Sequence, residues 1–236
     1  MLSPAKRHRL RVLAQQQAVS KTDEFGGYNK DASAYQLQLK ELSNDKIRLK
    51  GIQSIQTKIE EKRLLIPKYI PYVQGVLAAD EPVDDLVVTT IMTWCIDTGL
   101  YTLALDIGEF VLKHDLKMSD SFTRSPAAIL VEEIANAALA EFKKTDGIFD
   151  IEVLQRVHDM TADIDMHDQI RAKLYHALGK ALLKNNAGTA AVKFLNLALE
   201  KNKNITAKAD LKAAEKMEKE QLQDASKDES NTSDES

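Results

Sequence analysis

Nine glycines, five prolines and one cysteine in 236 residues are low counts for a chain of this length. So few backbone breakers argue against a strand-and-turn fold and for long helices. The lone Cys95 excludes an intramolecular disulfide and points to a reducing compartment. Set in an apolar helical stretch, its thiol reads as a small buried apolar group rather than a nucleophile. No window approaches the roughly 18 uncharged apolar residues of a membrane span, and the basic N-terminus precedes no apolar run of signal-peptide length. A soluble, unsecreted, cytoplasmic protein is expected. Chemical motifs are equally sparse. Gly179-Lys180 is followed by Ala181 and lacks the upstream glycine, so it is no phosphate-binding loop and argues for no ATPase. There is no H-E-x-x-H, no Cys-pair zinc pattern and no nucleophile elbow. His114, His158, His167 and His176 are too scattered to argue for a general base, and no catalytic residue is assigned.

What the chain does have is 44% hydrophobic residues, enough for one large or two small domains, and a charge gradient hidden under a net charge of -4. Residues 1–63 carry 13 Lys and Arg against 7 Asp and Glu, whereas residues 64–120 carry 3 against 9. A basic end attached to an acidic body suits nucleic acid through phosphate neutralisation, although a solvated tail has the same composition. The dense part is Lys6, Arg7, Arg9 and Arg11 with His8. Pro4 suits a first helical position behind Ser3 as N-cap, and Leu2, Leu10, Val12 and Leu13 support a short basic helix. Residues 22–29, with Gly26-Gly27, read as a hinge that closes a basic arm over residues 1–30. Apolar periodicity is too thin for a helix-turn-helix, so DNA contact by Lys6, Arg7, Arg9 and Arg11 would be dominated by phosphates.

Residues 31–66 read as one long helix. Tyr35, Leu39, Leu42, Leu49, Ile52 and Ile59 fall near alternating steps of three and four, and a helix of that length measures about 50 Å. That exceeds what a small body needs and suggests an intermolecular or antiparallel coiled-coil seam, with a helix packed on the body of its own chain as the alternative; Asp45 and Gln56 interrupt the register and Ile47 and Ile55 lie off it, which argues against a clean parallel dimer. Pro67 and Pro71 are expected to end this helix. Asp80, Glu81, Asp84 and Asp85 around Pro82 suit a helix start, with capping favoured over catalysis. The body, residues 67–205, is read as helical hairpins. Counted from Gly99 and from Gly188, equal offsets pair Leu103 with Val192, Leu105 with Phe194 and Phe110 with Leu199, as in a tetratricopeptide-like arrangement. Further helices are expected over residues 126–142 and 150–160. Glu132 and Glu133, adjacent on the first, point about 100 degrees apart and cannot share a metal unaided. Residues 207–223 read as a charged helix, and residues 224–236 as an acidic, disordered tail that is solubilising by default or else docks a partner or screens basic segments.

The remaining cluster is H-D-M-T-A-D-I-D-M-H-D at residues 158–168. Its carboxylates are numerous enough for Mg2+, but it fails as a calcium loop, since Asp168 and Leu174 stand where glycine and glutamate are needed. Met160, Ile164 and Met166 suggest a loop tucked against the body, with Asp165 or Asp168 capping a helix that starts near Gln169.

Four blocks in fixed order carry a further reading: S-P-A-K-R-H-R at residues 3–9, I-P-K-Y-I-P-Y-V-Q-G-V-L at 66–77, the Trp94-containing hairpin at 84–118, and D-M-H-D-Q-I-R-A-K-L-Y-H-A-L-G at 165–179. Together they resemble the small, endonuclease subunit of the terminase of temperate cohesive-end tailed phages, over residues 3 to about 198. The resemblance implies an all-helical protein of the host cytoplasm that binds double-stranded phage DNA at the packaging site. It also implies a separate large ATPase subunit as partner, assembly into a homo-oligomeric ring, here through the long helix, and no membrane. The endonuclease label implies a second reading, a metal-dependent nuclease in its own right, for which Asp163, Asp165 and Asp168 with Mg2+ are the first candidates. A third is a helical-repeat adaptor without DNA contact. Outside the nuclease reading no cofactor or metal is expected.

Overall fold

The computed structural model describes residues 3–20, 33–118 and 123–232; the hinge expected over residues 22–29 and the last four residues of the acidic end lie outside them. Regular structure among the described residues is ten α-helices and no strand. In order these are α1 (Pro4–Ser20), α2 (Ala34–Lys50), α3 (Ile55–Ala79), α4 (Leu86–Asp97), α5 (Tyr101–Lys113), α6 (Pro126–Glu141), α7 (Ile151–Thr161), α8 (Asp168–Lys184), α9 (Gly188–Lys201) and α10 (Lys208–Thr232). They form two compact units, Met1–Leu130 and Val131–Ser236, and the chain passes from one to the other within α6.

In the first unit, the stretch expected to be one long helix is two. Gly51 closes α2, and Ser54 opens α3 by accepting a hydrogen bond from the Thr57 amide at 3.2 Å. A glycine followed three residues later by a capping serine is a stop and a start, and this local chemistry overrides the apolar spacing that runs through it. The second correction concerns Pro67 and Pro71, which lie inside α3 rather than ending it. Each removes a backbone donor and costs about 3 kcal/mol in a helix interior. The loss is offset because this part of α3 is deeply buried, with Ile66, Tyr69, Tyr72 and Val73 contributing about 1.5–3 kcal/mol apiece.

Two buried phenol–carboxylate pairs fasten neighbours to α3. Asp45 of α2, itself buried, accepts from the Tyr69 hydroxyl and pairs with Lys68. Asp85 accepts from the Tyr72 hydroxyl at 2.5 Å and caps α4 by accepting from the Val87 and Val88 amides at 2.8 and 3.0 Å. Burial and the adjoining carboxylates push both phenols above their ordinary range, so both stay protonated donors. Of the acids around Pro82, Asp85 is thus the cap. Asp80 instead terminates α3 in a left-handed conformation (φ 55°) and meets Lys113 and His114 at the end of α5. The α4–α5 turn uses Gly99 at φ 78°, and Arg63 caps the end of α4 by donating to the Thr98 carbonyl at 2.9 Å. Trp94 packs edge-on against Tyr69, ring centroids 6.0 Å apart. Cys95 is fully buried, and burial pushes its thiol up to about 12, consistent with an inert core residue.

The basic end packs as a helix of 17 residues, longer than the short helix its apolar content suggested, and α1 lies directly on α3. The backbones approach most closely at Gly75, where an added Cβ would overlap the Arg11 carbonyl and stand 2.8 Å from the Ala14 methyl.

In the second unit, α8 and α9 form the second expected hairpin, closed at its open end by Lys201 on Asp168 at 2.9 Å. Its turn differs from the first: Asn186, at φ 56°, takes the left-handed position, and Gly188 is required because α10 passes over it, with Glu218 N 2.8 Å from where a Cβ would stand. The core here is built on Leu182 and Leu195 with the small Ala191, Ala198, Ala207 and Ala214, and α8 meets α9 closely where Gly179 faces the Leu195 side chain. α6 and α7 lie where the periodicity placed them, with Leu154 and Val157 buried on α7 and Lys173 of α8 held to Glu132 of α6 at 2.6 Å. α10 continues past Gln223 to Thr232, so the first part of the acidic segment expected to be disordered extends the charged helix; it carries neither proline nor glycine to stop it.

A polar tie joins α8 to α10. Asp210 accepts from His176 Nε2 at 2.7 Å and from Lys180 Nζ at 3.0 Å. Burial pushes its carboxyl up, but the two hydrogen bonds outweigh burial and hold it below the ordinary carboxylate range.

Two outcomes are expected. Gly75→Ala should gain about 1 kcal/mol in helix propensity yet lose about 1–3 kcal/mol to backbone overlap, a net destabilisation measured by urea unfolding; net stabilisation would mean the helices do not meet there. For Asp210, the folded value lies below the unfolded one, so its stabilisation is complete above the ordinary carboxylate range and is lost as pH falls through the folded value. Asp210→Asn should therefore lower stability near neutrality by about 1–2 kcal/mol and flatten the decline that sets in as pH falls below the ordinary carboxylate range, both read from unfolding at several pH values.

Candidate nucleic-acid interface

α1 begins at Pro4, where Ser3 Oγ accepts from the Lys6 amide at 3.4 Å. Helical geometry splits its cations. Arg7, His8 and Arg11 share one face with Pro4, at steps of three and four; Lys6 and Arg9 share another, continued by Leu13. Among the described side chains of α1, Ala14 is the most fully buried, at 2% exposure, and Leu10 and Val12 are half-buried, whereas Lys6, Arg7, His8, Arg9 and Arg11 are all exposed. The four cations singled out in the sequence thus stand on one helix but do not converge on one point.

Their pairing separates them from other cations of the same unit. Arg48 reaches Glu61 at 2.6 Å, Lys62 reaches Asp97 at 2.5 Å, and Lys68 and Lys113 meet Asp45 and Asp80. Lys46 donates to the Thr90 hydroxyl at 3.2 Å, and burial lowers its pKa. Lys6, Arg7, Arg9 and Arg11 form no ion pair among the described residues.

The inward face of α1 borders a cleft of about 550 Å3. Arg7, His8 and Arg11 form one wall; Ile66 and Ile70 of α3 and Leu103 of α5 form the apolar side. Sequence reasoning missed this cleft, because it depends on α1 docking beside α3. The available signal was Gly75, a glycine inside an apolar helical run, which marks close backbone approach.

The Asp-rich segment at residues 158–168 is built as a structural corner. Arg171, buried at 6% exposure, donates to the Thr161 hydroxyl at 3.0 Å, to the Thr161 carbonyl at 2.6 Å and to the Ile164 carbonyl at 3.0 Å, fixing the loop between α7 and α8. His158 packs tilted against Tyr175 and edge-on against Phe194, with ring centroids 6.0 and 5.6 Å away. Asp163 and Asp165 are exposed, and Asp168 is engaged by Lys201. Neither Asp165 nor Asp168 caps α8: the N-cap is His167, whose side chain makes no capping bond, and Asp168 sits in the first turn, where it faces the positive helix end. Among the described residues no group of three or more His, Cys, Asp or Glu side chains is arranged to hold a metal ion. Among them, too, no helix is long and apolar enough to cross a membrane.

These features define an all-helical protein with an exposed basic helix on a compact N-terminal unit. Residues 39–169 match the family described as Phage small terminase subunit. The chain is also similar to the "Terminase, endonuclease subunit" of Escherichia phage P2, 33% identical over 200 residues that cover 85% of this chain and 79% of that protein. No solved structure matches it. The chain belongs to the phage small terminase subunit family, and its part is that of a terminase small subunit in the packaging of phage DNA.

Proposed function

We propose that this subunit holds phage DNA at the cohesive-end packaging site through the phosphates, with Lys6, Arg7, Arg9 and Arg11 as the contacts, while a large ATPase subunit cuts and translocates it. The observation that carries this reading is that these four cations are exposed on a docked helix and form no ion pair among the described residues, in a unit where Arg48, Lys62, Lys68 and Lys113 are neutralised by carboxylates. Unpaired cations release phosphate counterions on binding at no cost in broken ion pairs, and they impose no base preference. Several copies acting together would add weak contacts by avidity. Association of copies is supported by Leu37, Ile47, Ile55 and Leu64 on α2 and α3, which are 55–76% exposed.

The name of the phage P2 relative supports a second reading, that the subunit itself cuts the strands with Mg2+ held by Asp163, Asp165 and Asp168. A gel assay of the purified chain, without a large subunit, on DNA carrying the cohesive-end site separates the two. Retention without cleavage in Mg2+ is expected; site-dependent nicking lost in Asp163→Ala or Asp165→Ala would establish the second reading instead.

Replacing Lys6, Arg7, Arg9 and Arg11 together by Ala should lower DNA affinity at least about tenfold and reduce the slope of log affinity against log salt by about 3–4. An unchanged affinity and slope would remove α1 from the interface. Ile47→Asp with Ile55→Asp, which leave α1 intact, should weaken retention only through loss of the oligomer, read as a lower mass by light scattering.

A further inference from the structure

The cleft beside α1 combines features that a DNA backbone does not require. Its cationic wall carries Arg7 and Arg11, one helical turn apart, with His8 between them, and it faces aliphatic Ile66, Ile70 and Leu103. At about 550 Å3 it lies within the range of enclosed ligand sites. A duplex presents phosphates on a convex, hydrated surface and has nothing to place against aliphatic walls. Single-stranded bases seek aromatic platforms, and among the described residues no Phe, Tyr or Trp lines this cleft. Pro67 and Pro71 also line it. Lacking N–H groups, they leave the carbonyls of Arg63 and Pro67 without their helical donors.

We propose that this cleft is a docking site for an acidic, leucine-bearing segment of another protein: aliphatic side chains enter between α3 and α5, and flanking carboxylates pair with Arg7 and Arg11. Guanidinium forks suit carboxylates in bidentate geometry, and the aliphatic floor supplies the apolar area that a purely ionic contact lacks. The chain's own acidic end is a poorer match, since residues 224–236 contain Ala225 as their one aliphatic residue and bring charge without an anchor. The outward cations Lys6 and Arg9 take no part in peptide docking, whereas Arg7 and Arg11 would serve peptide and phosphate alike, so the two partners compete for them; the proposal stands whether or not α1 binds DNA.

The test is fluorescence anisotropy with the full chain and a labelled synthetic peptide that bears leucines one helical turn apart among glutamates. Two control peptides accompany it, the same sequence with serine for leucine and the sequence of residues 224–236. The leucine peptide should bind, and both controls should bind at least about tenfold more weakly. Arg7→Glu with Arg11→Glu should cost about tenfold or more, whereas Lys6→Glu with Arg9→Glu should leave affinity within about twofold. Because α1 itself is altered in those variants, Leu100→Glu supplies an independent probe. Leu100 lies at the cleft on the α4–α5 turn and is 42% exposed, so its replacement leaves the core untouched and should weaken binding several-fold. Failure of the leucine peptide to bind, equal binding of the serine control, or parent-like affinity of the Arg7→Glu, Arg11→Glu protein would overturn the proposal.

Discussion

The contact of α1 with α3 at Gly75 is the constraint on which the functional surface depends. Only a residue without a Cβ lets the Arg11 backbone come this near, and with that approach fixed, the rotation of α1 about its own axis is fixed as well. Rotation then decides everything downstream. It turns Arg7, His8 and Arg11 toward a cleft and Lys6 and Arg9 to the outside, and it buries Ala14, whose small side chain suits so close a crossing. A basic arm on a tether would have offered its charge in every direction; a docked helix offers it in two.

α3 is the other half of this arrangement. It tolerates two internal prolines because its far side is anchored by Tyr69 on Asp45 and Tyr72 on Asp85, buried hydrogen bonds to charged acceptors that cost about 1.5–3 kcal/mol each to lose. The same prolines line the cleft on the near side, Pro67 with an exposed ring and Pro71 with a buried one, so one sequence feature serves packing and surface shape together. In the second unit small residues take the place of polar clips: Gly179 and the alanines allow α8, α9 and α10 to approach, and the His176–Asp210–Lys180 tie sets which face of α10 lies inward.

Much of this was legible from residues alone. Helical class followed from the scarcity of glycine and proline, and the hairpins at Gly99 and Gly188 followed from broken and resumed apolar spacing. The cationic helix followed from Lys6, Arg7, Arg9 and Arg11, and its start from Ser3 and Pro4. What escaped has common physical causes. The break at residues 51–54 was hidden because Ile52 and Ile59 keep the spacing across it, while Gly51 and Ser54 decide locally. Pro67 and Pro71 read as terminators because tertiary burial, which lets a helix carry them, has no one-dimensional signature. The carboxylates of residues 158–168 looked like ligands because composition cannot show that Arg171 binds the backbone of that loop, or that Lys201 occupies Asp168. Gly188 was placed at a turn for the wrong reason: Asn186 makes the turn, and the glycine makes room for α10.

The family to which the chain belongs serves the packaging of phage DNA, and the contact proposed for this subunit is made by a docked basic helix with two cationic faces. Everything rests on α1 being folded onto α3 before any partner arrives. Hydrogen–deuterium exchange on the isolated full-length chain tests that most directly. The account predicts that the amides of Leu10 through Ala14 exchange slowly, with protection approaching that of the Tyr69–Val76 segment of α3. Exchange of those α1 amides at the rate of an unstructured peptide, with α3 still protected, would contradict it.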